Sequence, residues 1–188
     1  MVPLILSVII GLFPISELAL AILKRSRGKS AQRGDRGSMQ LLWLCITLGV
    51  VLAILARQVS WARIPGPMAL VNVISLTLLL GGLTLRWISI LTLGRLFTVD
   101  VAVYTDHEVV QTGLYRVMRH PSYTGLLIAF LGLGLAFTNY LSVLGLFLPI
   151  IPGMAYRVAK EEQALLSSLG PAYSAYCSRT KRFIPGLL

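Results

Sequence analysis

Five apolar runs divide the chain: residues 1–23, 39–56, 68–93, 122–138 and 141–156. A membrane-crossing helix needs about 20 predominantly apolar residues, so the pattern predicts an all-α integral membrane protein with about five transmembrane helices. The third run is long enough to cross with tilt, and Arg86 near its end is expected to snorkel to the interface. The last two runs are short. They predict a tight C-terminal helical hairpin, turning at Asn139-Tyr140, with flanking polar clusters drawn into the interface. Pro149 and Pro152 are expected to kink its second arm, where freed carbonyls are tolerable if buried against protein or lining a cavity.

Composition agrees with this class. Charged residues make up 13% of the 188-residue chain, against about 25% in soluble domains, and the mean hydropathy is +0.79. The formal net charge of +10 sits in the gaps between apolar runs. It points to topology and anionic lipid headgroups, with no nucleic-acid partner. The loop at 24–37 carries six Lys/Arg against one Asp, the gap after the second run only Arg57 and Arg63. Counting Arg86, fifteen of the seventeen basic residues fall on one side. The positive-inside rule then places the N-terminus outside and the C-terminus, with any site beside it, in the cytoplasm. The first run lacks a cationic start and a small-residue cleavage site and reads as a retained span. Residues 26–38, rich in Gly, Ser and Arg, read as a flexible connector. Cys45 and Cys177 have neither disulfide nor zinc spacing, and the two histidines lack a third ligand, so no metal is expected.

Chemistry concentrates in the second half. Between Gly113 and Gly125 the chain reads Gly-Leu-Tyr-Arg-Val-Met-Arg-His-Pro-Ser-Tyr-Thr-Gly, and Arg157-Val-Ala-Lys160-Glu161-Glu162 follows the hairpin. Polar groups of that density at a membrane border are costly unless they bind something. Two such clusters closing the ends of one hairpin face the same side and outline a site. The division is therefore 1–85, N-terminal spans with a basic cytoplasmic loop at 24–38, and 86–188, a core of linker, hairpin and C-terminal cytoplasmic helix. Glu17, the one acid inside the first run, reads either as a functional group or as a packed or interfacial carboxyl. Leu165, Leu166, Leu169, Tyr173 and Tyr176 form an apolar face expected to dock on the bundle or interface. Arg116 and Arg119 read as headgroup anchors, Gly132 and Gly134 as close-packing positions.

The series His107-x7-Tyr115-x4-His120-Pro121-x-Tyr123-x-Gly125, then a hairpin, then Glu161-Glu162, resembles the isoprenylcysteine carboxyl methyltransferase family, which shares a core with the phospholipid N-methyltransferases. The resemblance covers roughly residues 86–185. It implies an intramembrane methyltransferase using S-adenosylmethionine. His107, Glu108, Val109, Val110, Tyr115, His120, Pro121, Ser122, Tyr123 and Glu161 match the cofactor-binding positions, and Arg157 matches the arginine assigned to substrate positioning. Glu108 departs from the asparagine usual after the histidine. The implied acceptor is a lipophilic small molecule or lipidated group, such as the carboxylate of a prenylcysteine-like or isoprenoid substrate, with membrane lipids as surroundings and no obligate protein partner. Two other readings are an NADPH-dependent membrane reductase of the sterol-reductase type, whose many additional spans 188 residues cannot hold, and a non-catalytic membrane scaffold.

Overall fold

The computed structural model describes residues 4–23, 31–35, 37–98, 101–104 and 108–183. Asp100 and His107 lie outside the described residues. The helices are α1 (Leu4–Leu23), α2 (Gly37–Ala56), α3 (Met68–Leu93), α4 (Pro121–Ala136), α5 (Tyr140–Leu169) and α6 (Pro171–Arg179). The first five fall on the five apolar runs. Among the described residues, three helical segments are long and apolar enough to cross a membrane: Gly37–Ala56, Met68–Leu96 and Tyr140–Leu169. The apolar stretches Ser7–Leu20 and Pro121–Ala136 are shorter.

The helices pack as two close pairs, α3 on α4 and α2 on α5, and small residues explain the first. On α4, Gly125, Ala129, Gly132 and Ala136 recur at spacings of four, three and four and are all buried. A Cβ at Gly132 would stand 2.6 Å from the Leu79 amide nitrogen and the Ser75 carbonyl oxygen; at Gly125, 2.6 Å from the Arg86 nitrogen and the Gly82 oxygen. Where lipid tails are as apolar as the side chains, such backbone approach supplies the packing attraction that holds helices together. In the second pair Gly49 of α2 meets the Leu146 backbone of α5, and Gly153 of α5 meets Cys45 of α2.

The hairpin turn is capped. Asn139 Oδ1 accepts from the amides of Leu141 at 2.9 Å and Ser142 at 3.3 Å, while its Nδ2 donates to the Val59 carbonyl at 2.9 Å. This satisfies two of the amides that a helix start leaves unpaired and ties the turn to the loop after α2.

Three features differ from the sequence expectation. The second hairpin arm does not end near Tyr156: α5 runs on for 30 residues through Pro149 and Pro152 to Leu169, about 45 Å of helix. Its last third contains no Gly or Pro, and the stop comes at Gly170, whose φ of +51° suits glycine, followed by Pro171 at the start of α6. The supposed connector contains β1 (Ala31–Asp35), paired antiparallel with β2 (Val101–Tyr104), so a short two-strand ribbon joins an otherwise helical fold. Arg86 does not snorkel: it is buried, with Nε and Nη2 each 2.5 Å from a Glu17 carboxylate oxygen. An acid on the facing helix makes an internal partner available, and a guanidinium in an apolar setting takes it.

Candidate active site

The Arg119–Tyr123 block is held from three directions. Pro121 occupies the first helical position of α4, where its missing N–H costs nothing, and His120 forms the N-cap. Behind it the chain end runs alongside: the amides of Arg119 and His120 donate to the carbonyls of Lys181 at 2.8 Å and Arg182 at 2.9 Å. Glu162 of α5 closes the arrangement. Its Oε1 lies 2.9 Å from Arg119 Nε and 3.2 Å from His120 Nε2, and its Oε2 accepts from Arg182 Nε at 3.0 Å. Arg119 also donates to the carbonyls of Cys177 and Thr180. It is thus a structural clamp on the chain end, not the headgroup anchor expected from sequence; Arg116 is exposed.

Two cavities meet at this block. One is a cleft of mixed polarity, about 90 Å³, among the α3–β2 link, the 108–115 segment, α5 and α6. Glu108, Val109, Val110, Tyr115, His120 and Glu161 line it, so six of the sequence-proposed cofactor residues come together. Leu165, Leu169, Tyr173 and Tyr176 line it too; Tyr173 and Tyr176 are buried, as a face docked on the bundle would be, and Leu166 alone of the set is exposed. The i, i+4 spacing of Leu165, Leu169 and Tyr173 was visible in the sequence. That it faces a cleft depended on α6 folding back at Gly170.

The second cavity is an apolar slot of about 440 Å³ between α1, α2, α3 and α4. Its wall follows α4 from Ser122 and Tyr123 through Leu126, Phe130 and Leu133 to Phe137, about 22 Å of helix rise. Phe13 of α1 and Leu42, Trp43 and Ile46 of α2 face it. The first two helices, which carried little chemistry in sequence, therefore build half of this cavity. Ser122 and Tyr123 belong to the slot and not to the cleft, and Pro121 is buried in neither wall. Leu93, Phe97, Thr98, Tyr115, Arg119, His120 and Glu161 line both cavities. The slot and cleft share one boundary.

Tyr123 spans that boundary. Its hydroxyl donates to Glu161 Oε2 at 2.9 Å and accepts from Arg157 Nε at 3.3 Å. Arg157 lines neither cavity. It is 1% exposed, and its Nη1 donates to Ser38 Oγ of α2 at 2.8 Å. One turn before Glu161, it faces the α2–α5 contact and reaches the site through Tyr123. Burial, and then the nearby Glu161 charge, push the Tyr115 phenol above its ordinary range. Burial and then Glu162 do the same to Tyr173, and burial pushes Tyr176 up to about 12. All three stay protonated donors. Tyr176 uses its proton on the Tyr115 carbonyl at 2.7 Å, whereas the buried Tyr173 hydroxyl has no hydrogen-bond partner among the described residues. A buried polar group left unpaired is costly unless something completes it. Among the described residues no three His, Cys, Asp or Glu side chains converge as metal ligands would.

Comparison with known proteins matches this architecture. The sequence profile of the isoprenylcysteine carboxyl methyltransferase family matches residues 73–167. The chain is 33% identical over 112 residues to protein-S-isoprenylcysteine O-methyltransferase B of Arabidopsis thaliana, covering 58% of this chain and 57% of that protein. It is 30% identical over 156 residues to the protein-S-isoprenylcysteine O-methyltransferase of Schizosaccharomyces pombe, covering 76% and 66%. The fold is similar to the solved eukaryotic intramembrane Ras methyltransferase, with a TM-score of 0.62 at 23% identity, over 95% of this chain and 64% of that one. The matched parts span about three fifths of these relatives' lengths. With half of its residues matching the family profile and the membrane fold in common, this chain belongs to the isoprenylcysteine carboxyl methyltransferase family.

Proposed function

We propose that the protein transfers a methyl group from S-adenosylmethionine, held in the cleft of mixed polarity, to the carboxylate of a lipophilic acceptor whose apolar tail lies in the slot. The shared boundary of the two cavities carries this reading: a water-soluble donor and a membrane-soluble acceptor need separate environments that touch at one point. The relatives are named as prenylcysteine O-methyltransferases, and a slot following about 22 Å of α4 suits an isoprenoid tail.

The cleft residues fit the donor's chemistry. S-adenosylmethionine supplies an electrophilic methyl carbon on a positively charged sulfur. Glu161 offers a carboxylate for ribose hydroxyls, held in place by the Tyr123 hydroxyl. Tyr173 offers its unpaired phenol as a donor, and Leu165 and Leu169 offer an apolar face for the adenine. His107, outside the described residues, retains its proposed cofactor role. So do Glu108, Val109, Val110, Tyr115 and His120 in the cleft, with Pro121 setting the start of α4 and Ser122 and Tyr123 lining the slot beside it. Arg157 positions the acceptor side through Tyr123.

In the reaction an acceptor carboxylate oxygen forms a bond to the methyl carbon as the carbon–sulfur bond breaks and its electron pair stays on sulfur. The products are an ester and a neutral thioether, and no proton moves. The residues therefore need no general base; alignment and exclusion of water do the work. Opposite charges combine as the reaction proceeds, so a dry boundary favours the transition state over the solvated ions. The site opens to the cytoplasmic side in the five-span, N-out topology. The reductase and scaffold readings gain no supporting feature.

Labelled methyl transfer from S-adenosylmethionine to N-acetyl-S-farnesylcysteine and to extracted membrane lipids, run on the purified protein, tests the proposal. A base-labile methyl ester on the farnesylated acid is expected. Binding of NADPH in preference to S-adenosylhomocysteine, with no methyl transfer, would overturn it.

A further inference from the structure

The Glu17–Arg86 pair is the one ion pair in the apolar slot among the described residues, and the proposed reaction does not use it. Both side chains line the slot, at 9% and 12% exposure for Arg86 and Glu17. Arg86 Nε and Nη2 meet the two carboxylate oxygens, each at 2.5 Å, and Nη1 donates to Ser122 Oγ at 2.9 Å. The pair thus sits at the polar end of the slot, one residue from Tyr123. That is where an acceptor with its tail along α4 would place its own carboxylate. The two-pronged geometry is also the one in which a guanidinium binds any carboxylate best.

We propose that Glu17 is a resident stand-in for the acceptor's carboxylate: an anionic lipophile binds by displacing Glu17 from Arg86, and Glu17 returns once the acceptor has become a neutral ester. This rests on the proposed methyl transfer. A desolvated guanidinium cannot be left unpaired without a large penalty, so exchange of one carboxylate for another is permitted while entry of a neutral molecule at Arg86 is not. The same rule expels product, because esterification removes the charge that held Arg86 and Glu17 recaptures it. The helix carrying Glu17 suits such movement. Phe13 and Leu20 are its buried apolar anchors, Pro14 interrupts its hydrogen bonding one turn before Glu17, and Leu12, Ile15, Leu18 and Ile22 face outward. Glu17 acts through Arg86 and is a positioning and specificity-determining residue.

The test compares binding of N-acetyl-S-farnesylcysteine and its methyl ester to the full chain, wild type and Glu17→Gln, with S-adenosylhomocysteine binding as the check on folding. Removing the competing charge is expected to raise the acid-to-ester affinity ratio at least about tenfold, the equivalent of one charge-assisted hydrogen bond, with ester affinity changing less than about threefold. In turnover, KM for the acid falls while kcat changes less than about threefold, in step with the ester affinity. An unchanged acid-to-ester ratio, equal weakening of both ligands, or no binding of either to both proteins would overturn the proposal. If Glu17→Gln does not fold, Glu17→Asp carries the test: its shorter reach should raise the ratio about threefold, and an unchanged ratio refutes the idea. A wild type that binds acid and ester but makes no methyl ester would sink the proposed reaction, while the affinity ratio would still decide the role of Glu17.

Discussion

Substituting Arg157 offers the most discriminating test of how this site is wired. Its guanidinium lies in neither cavity and touches the boundary through Tyr123, at 3.3 Å from Nε to the phenol oxygen. Arg157→Ala removes that bond and the 2.8 Å bond to Ser38. Hydrogen bonds to charged groups contribute about 1.5–3 kcal/mol each, and the length of the Tyr123 bond places it at the lower end, about 1.5 kcal/mol. That corresponds to roughly a tenfold loss in kcat/KM. The Glu161–Tyr123 bond survives the change, so S-adenosylhomocysteine affinity should move less than about threefold. Tyr123→Phe breaks both bonds at once, and the double variant should be no worse than Tyr123→Phe alone. A coupling energy of about 1 kcal/mol or more is then expected from the double-mutant cycle. The assay is labelled methyl transfer with both substrates titrated, on preparations matched for S-adenosylhomocysteine binding. Additive losses would mean that Arg157 contacts the acceptor directly, and the relay through Tyr123 would be refuted.

Three further outcomes follow from the site. Glu161→Ala should weaken S-adenosylhomocysteine binding at least about tenfold, measured by calorimetry, and lower the stability of the ligand-free protein by about 1.5 kcal/mol through the lost Tyr123 bond. Tyr173→Phe should move stability and binding in opposite directions: losing an unpaired buried hydroxyl stabilises the ligand-free protein by about 1 kcal/mol, and cofactor affinity falls about fivefold. In a cysteine-free background, thiol labelling should place Trp61→Cys, on the exposed loop after α2, and Ser178→Cys, on α6, on opposite membrane faces, with Ser178 cytoplasmic; finding both on one face would remove the five-span topology.

Much of this protein is legible without coordinates. Where residues must sit in lipid, unpaired backbone groups are forbidden, so apolar runs become helices, and all five runs did. The His120-Pro121 and Glu161-Glu162 blocks were legible for a related reason: polar clusters beside such runs stand out because they are expensive there. Side-chain partnership was not legible. Glu17 and Arg86 are 69 positions apart, and nothing local distinguishes a snorkelling arginine from one paired across the bundle. The tertiary structure also decided that α5 continues past Tyr156, carrying Arg157 toward α2 and Glu161 toward the cleft. It decided between bundle and interface for the face of α6: Gly170 turns the helix so that Tyr173 and Tyr176 close a pocket within the bundle. Helix periodicity tells which residues share a face; only the placement of α1 and α2 across the slot from α4, and the packing of α6 against α5, tell what that face meets.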